Sequence, residues 1–319
     1  MLSLAILKSM LQKLLKKIKK KIRFGIDNLS FKSKQISKLK KVNSKSDRMN
    51  YLWIVYDSCR YDTLVSAKTP VLDSYAKIHS AWAPATYTLP SHISFFAGIL
   101  PIVYEPLPYL NRFHKQLVTM RKSGEAREDA IDEKTLVLPA SDQDIIHGFN
   151  QLGYYTVGSA AASWFSKDVL VKNFQDFSFK RVQSFPDQID FLTSNLNKKL
   201  NDRPFFAFMN LIETHSPYMH YGEDRDEYGI KARGEMNFPP VEDLDELRER
   251  GAKLHQAQIK AAEYCDQQLE HLLNALPENT MVIITADHGE AFGEDGFWGH
   301  GIYHEKVMNV PMSCFMLGE

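Results

Sequence analysis

The sequence predicts an α/β fold built on a central, mostly parallel sheet. Three apolar runs carry that reading: Tyr51–Tyr56, Pro204–Leu211 and Met281–Ile284 are continuous rather than alternating, as strands buried on both faces are. Helical patterns separate the runs, so crossovers join the strands and leave them parallel. Each run also ends on groups suited to one site, Asp57, His215 and the pair Asp287-His288, at the edge where open α/β sheets hold ligands.

A chain of 319 residues, 44% of them hydrophobic, can bury the core of a large α/β domain, which excludes a disordered or largely membrane-embedded protein. The net charge of zero is unevenly distributed. Residues 1–50 hold fifteen Lys or Arg against two Asp, so +13 on a basic tail is balanced by −13 on the remainder. Cys59, Cys265 and Cys314 lie far apart with no CxxC pair, which gives no disulfide framework. They read as small buried residues, in a reducing compartment or indifferent to redox, and the chain is expected to be cytoplasmic.

Within the tail, Leu4, Leu7, Leu11, Leu14, Ile18 and Ile22 fall three or four apart and make one helical stripe over residues 1–23, with lysines opposite. No apolar run reaches the roughly 18 residues of a membrane span, and Lys8 and Lys13 interrupt what would be the apolar region of a signal peptide. A helix lying peripherally on an anionic membrane surface and a helix packed on the body or a partner are both open readings. Residues 24–49 read as a linker, so 1–49 forms the tail and 50–319 the folded body. The tail lacks aromatic interleaving, and no nucleic-acid partner is expected.

Along the body, Thr69 caps a helix that Pro70 opens. Thr88 is expected to cap the next helix, with Pro90 in its first turn and Gly98 at its end. A hydroxyl there meets free amides and the positive end of the helix dipole, where a phosphate or sulfate binds. Residues 102–140 mix Pro, charge and short apolar pieces and read as an insertion. Ser141 and Asp142 are expected to cap a helix over 143–152, followed by a strand over Tyr154–Ala160 and a helix over about 186–200. Residues 219–241 form a second insertion, Val241–Leu276 a long amphipathic helix broken near Gly251, and Val310–Leu317 a last strand.

Asp287-His288-Gly289 could be a simple turn, since Asp and Gly favour turns. The adjacent carboxylate and imidazole, followed by the glycine-flanked His300, equally suit one divalent cation, Zn²⁺ or Mn²⁺ before Mg²⁺ or Ca²⁺. Further ordered pieces decide between these readings. They are Asp57-Ser58-Cys59-Arg60-Tyr61-Asp62, Thr69-Pro70-Val71-Leu72-Asp73, Thr86-Tyr87-Thr88-Leu89-Pro90-Ser91-His92 with Gly98 and Pro101, Thr214-His215-Ser216-Pro217-Tyr218, Asp287-His288-Gly289-Glu290, Trp298-Gly299-His300-Gly301 and Val310-Pro311. Together they resemble the sulfatase branch of the alkaline phosphatase superfamily over nearly all of residues 50–317.

That resemblance implies a three-layer α/β/α sandwich. It implies that Asp57, Thr88, Asp287 and His288 hold one divalent metal, with Thr88 as nucleophile. His215 and His300 would contact the anionic group or its leaving oxygen, and His92 and Arg60 would bind the same group. His220 or His304 could contribute to a second metal site, although His304 alone reads as a surface residue. Sulfatases carry a cysteine, matured to formylglycine, in a Cys-x-Pro-Ser-Arg frame that here reads Thr88-Leu-Pro-Ser-His92. Ser58 stands where they have a second Asp, and His300 where they have a lysine. The threonine is more similar to phosphoethanolamine transferases and lipoteichoic-acid synthases, whose membrane helices this chain is read as lacking. The expected activity is therefore metal-dependent hydrolysis or transfer of phosphate or sulfate esters through a covalent Thr88 ester, with phosphoesters favoured. The substrate would be a small-molecule, lipid-linked or glycan-linked ester. A sulfatase-like binding or scaffold protein is the competing reading, and the complete ligand set argues against it.

Overall fold

β1 (Asn50–Tyr56) lies at the centre of a seven-stranded sheet because nearly every one of its side chains is apolar and can be buried on either face. The structure is a computed structural model that describes residues 39–42, 46–98, 144–181, 183–218 and 244–318. After β1 come α1 (Tyr61–Ser66), α2 (Pro70–Tyr75), β2 (His79–Trp82), α3 (Thr88–Ala97), α4 (Ile145–Gln151), β3 (Tyr155–Ala160), α5 (Asp168–Val171) and β4 (Asp176–Phe179). α6 (Phe185–Lys199), β5 (Phe205–Leu211), α7 (Leu244–Ala275), β6 (Thr280–Thr285), the short pair β7 (Ala291–Phe292) and β8 (Trp298–Gly299), α8 (Glu305–Met308) and β9 (Asn309–Met316) complete the order.

The sheet runs β2-β9-β6-β1-β5-β3-β4. β1 pairs in parallel with β5 and β6, and β3 in parallel with β4 and β5, whereas β9 is antiparallel to both β6 and β2. Tyr56 lies opposite Leu211, and Val55 opposite Thr285, so the C-terminal ends of β1, β5 and β6 are level. Whatever follows these three strands is delivered to one edge.

Alternation along the strands divides the core in two. On one face Leu52, Ile54 and Tyr56 of β1 and Ala207 and Met209 of β5 pack with Ile189 and Leu192 of α6 and Cys265 and Leu269 of α7. On the other, Val55 and Phe208 pack with Phe96 of α3 and Ile146 of α4. Helices thus cover both faces, giving the expected three layers.

Local expectations are corrected at three places. The N-cap of α3 is Tyr87, so Thr88 is the first helical residue and its hydroxyl makes no capping bond. The N-cap of α4 is Asp144, whose carboxylate accepts from the His147 amide at 2.8 Å, rather than Ser141 or Asp142. α7 is one continuous helix through Gly251. That glycine is required by packing: a Cβ there would sit 2.0 Å from the Phe292 carbonyl oxygen. The basic stretch 1–23 and the insertions 102–140 and 219–241, with His220, lie outside the described residues. Among the described residues no helix is long and apolar enough to cross a membrane.

Candidate active site

The edge formed by β1, β5 and β6 collects Asp57, Asp287 and His288, all fully buried. Asp57 follows β1 directly, and its carboxylate is held from two sides. Asn210, the last residue but one of β5, donates to Oδ2 at 3.2 Å, and the Ser58 hydroxyl donates to Oδ1 at 3.1 Å. Ser58 has a φ of 62°, uncommon for a residue with a side chain. Its amide thereby donates to Asp287 Oδ1 at 3.1 Å, which also accepts from the His288 amide at 3.0 Å.

The protonation of His288 follows from its partners. Nδ1 lies 2.9 Å from the Gly289 carbonyl, which can only accept, so Nδ1 carries the proton and Nε2 presents a lone pair. Burial, then the neighbouring His300, pushes its pKa well below the ordinary histidine value. Nε2 faces Asp287 Oδ2 at 3.5 Å, Asp57 Oδ1 at 3.9 Å and the Thr88 hydroxyl at 3.3 Å. Among the described residues, Asp287 Oδ2 is buried without a hydrogen-bond partner. Burial, then the charge of Asp57, holds Asp287 well above the usual carboxylate range.

Three electron-rich atoms, one from each of Asp57, Asp287 and His288, therefore lie within 4.8 Å of one another. Such a cluster is costly by itself and fits a small divalent cation. Its mixed nitrogen and oxygen donors suit Zn²⁺ or Mn²⁺, with Thr88 Oγ1 placed to join them.

Two further imidazoles extend the cluster. The ring of His300 is 4.4 Å from that of His288 and 5.4 Å from that of His215. His300 directs Nδ1 at the buried Glu290 carboxylate at 3.2 Å, and His215 Nδ1 donates to the Ser216 carbonyl at 2.7 Å. Burial acts to raise the Glu290 pKa, but the charge and hydrogen bond of His300 outweigh it and keep Glu290 below its ordinary value. Each ring is thus anchored through its Nδ1, His215 on the Ser216 carbonyl and His300 on Glu290.

Arg60, His92 and His304 are committed inside the protein. The Arg60 guanidinium bonds Asp62 at 2.5 and 2.7 Å and Glu294 at 2.7 Å, and lies over the Phe292 ring. His92 donates Nδ1 to the Thr88 carbonyl at 2.8 Å, 3.8 Å from Asp287 Oδ2, and packs among Phe95, Phe96, Phe165 and Phe208. Burial pushes its pKa down to about 4. His304 caps α8 by accepting from the Lys306 amide at 3.1 Å and pairs with Asp295. Reading the sequence missed Asn210, although an amide in the apolar strand FFAFMNL was the available signal.

Comparison with known proteins places this geometry in context. The chain matches the sulfatase family along residues 50–312. It is 30% identical over 112 residues to the low-salt glycan biosynthesis sulfotransferase Agl7 of Haloferax volcanii, a match covering 33% of this chain and 26% of that protein. Its fold is similar to the C-terminal periplasmic domain of phosphoethanolamine transferase EptC from Campylobacter jejuni, with a TM-score of 0.51 and 15% identity over 88% of this chain and 83% of that one. It is also similar to the phosphonate monoester hydrolase of Agrobacterium radiobacter, with a TM-score of 0.51 and 14% identity over 84% of this chain and 68% of that one.

The expectation of a cytoplasmic chain is overturned by these likenesses, because the EptC domain that shares the fold is periplasmic. The cysteines had suggested a reducing compartment. Three free thiols, two of them buried, exclude a disulfide among themselves but say nothing against an oxidising compartment.

Proposed function

The chain belongs to the sulfatase family, and from that premise we propose that it is a metal-dependent phosphoester hydrolase or phosphotransferase with Thr88 as its nucleophile. The observation that carries this reading is the Thr88 hydroxyl, buried, free of capping and 3.3 Å from His288 Nε2 beside two carboxylates. Asp57, Asp287, His288 and Thr88 would hold one divalent ion. That ion, when bound, supplies Lewis acidity that lowers the pKa of the threonine hydroxyl and offsets the charge of the anionic group.

The chain's own residues account for the rest of the reaction. Thr88 Oγ1 loses its proton to solvent and forms a bond to phosphorus as the ester oxygen leaves in line, giving a covalent Thr88 phosphoester. His215 and His300, each oriented through Nδ1, hydrogen-bond the anionic group through Nε2 when the ring is protonated, and that Nε2 proton passes to the leaving oxygen. Water or an acceptor alcohol then attacks the Thr88 ester and frees the hydroxyl. Phosphoesters are favoured over sulfate esters because threonine cannot become formylglycine.

Residues 50–319 would form the catalytic domain, and the insertions at 102–140 and 219–241 would select a small-molecule, lipid-linked or glycan-linked ester. The basic stretch 1–23 would hold the enzyme at an anionic membrane surface. Aryl phosphate monoesters, diesters and sulfates, assayed with several divalent ions and with a chelator, test the activity. Turnover of a phosphoester that chelation abolishes and Thr88→Ala removes is the expected result. Undiminished turnover by Thr88→Ala would overturn the assignment.

A further inference from the structure

α7 is largely polar on its outer face, yet one of its amides, Gln258, is completely buried. A buried amide is tolerated when each of its polar atoms is paired. Gln258 Nε2 donates to the Ser58 carbonyl at 2.8 Å and to the Thr214 carbonyl at 2.9 Å. Its Oε1 accepts from the Thr63 hydroxyl at 2.6 Å. Two carbonyls can only accept, so the nitrogen must face them, and the amide has one orientation.

The two carbonyls belong to different loops of the site. Ser58 follows Asp57, and its left-handed backbone is fixed at the amide by Asp287 and at the carbonyl by Gln258. Thr214 precedes His215, and its hydroxyl donates to the Asp57 carbonyl at 2.8 Å. From this geometry we infer that Gln258 is a positioning residue that sets His215 against Asp57. The inference rests on the roles given above to Asp57 and His215. Gln258 lies behind both loops, and no sequence motif marks it.

Gln258→Met keeps the length of the side chain and removes both donors and the acceptor. On whichever 4-nitrophenyl ester the wild type turns over, it should lower kcat on the order of 10–100-fold, as lost outer-shell support does, with KM little changed. A contribution to stability alone would lower the rate equally in any background. Positioning of His215 would not: combined with His215→Ala, Gln258→Met should cost little beyond the single His215→Ala loss. Additive losses, or a Gln258→Met variant with wild-type kcat, would overturn the inference. If Gln258→Met does not fold, Thr63→Val removes only the hydroxyl that orients the amide. It should give a smaller kcat loss with the same coupling to His215→Ala, and an additive loss would again overturn the inference. Thr88→Ala in parallel separates the two claims. Turnover retained by Thr88→Ala defeats the site assignment, whereas turnover lost there and kept by Gln258→Met defeats only the role of Gln258.

Discussion

Replacing Asp287 with Asn distinguishes a metal site from a structural carboxylate pair. Ligand oxygens of Asp57 and Asp287 lie within 4.8 Å of each other and of a His288 ring nitrogen. Were both ionised, two unit charges at that distance would repel by roughly 3 kcal/mol at an effective dielectric of about 20, and burial with this repulsion is what holds the Asp287 pKa up. Asparagine keeps the oxygen that accepts from the Ser58 and His288 amides and turns Oδ2 into a donor facing two acceptors. The metal-free variant should therefore be more stable than the metal-free wild type by about 1–3 kcal/mol, a rise of several degrees in Tm. Added Zn²⁺ or Mn²⁺ should act the opposite way. At a hundredfold excess over Kd it should stabilise the wild type by about 2.7 kcal/mol, and it should leave Asp287→Asn nearly unchanged. Thermal unfolding with chelator and with each ion reads both effects. A variant less stable than wild type without metal, or equally stabilised by the ions, would refute the reasoning.

Three further perturbations test separate parts of the structure. Burial raises the pKa of Glu213 from 4.5 to about 7, so the folded state holds a neutral acid that the unfolded state would ionise. Stability from this group is full below about pH 4.5 and is lost as pH rises through about 7, reaching roughly 3 kcal/mol. Glu213→Gln should gain on the wild type by several degrees in Tm across that window, and parallel pH curves would contradict it. Gly251→Ala improves helix propensity by roughly 1 kcal/mol but sets a Cβ 2.0 Å from the Phe292 oxygen. A net loss of about 1–3 kcal/mol in urea unfolding is expected, and an unchanged or higher midpoint would show that the packing is looser. Asn210→Ala removes the donor to Asp57 Oδ2 and should weaken metal affinity by about tenfold or more in a calorimetric titration. An unchanged affinity would mean that Asp57 is oriented without it.

Much of this architecture was legible because buried strands announce themselves. Met281–Ile284 is apolar without interruption and Pro204–Leu211 is apolar but for Asn210, and both lie within a residue or two of β6 and β5. The edge strand β2 was not seen: His79, Ser80 and Trp82 are exposed, so burial imposes no pattern on them. α7 was found, but Gly251 was misread as a break because the Phe292 carbonyl it accommodates is distant in sequence. The site divides in the same way. Asp57, Thr88, His215, Asp287, His288 and His300 sit in recognisable motifs, and the structure gathers them. The groups that orient them, Asn210, Glu290 and Gln258, do so through partners in other elements. Arg60 and His92 were marked by their motifs, yet what each side chain bonds is set by Asp62, Glu294 and an aromatic pocket that no local pattern reveals.

The central claim, that Thr88 attacks the ester, is tested most directly by trapping its product. Wild-type enzyme loaded with metal, mixed with a 4-nitrophenyl phosphoester and quenched in acid within one turnover, should yield a phosphorylated peptide whose fragmentation places the group on Thr88. Thr88→Ala should give neither the adduct nor the burst of nitrophenol that accompanies it. A burst in Thr88→Ala, or phosphate carried by another residue, would contradict the account.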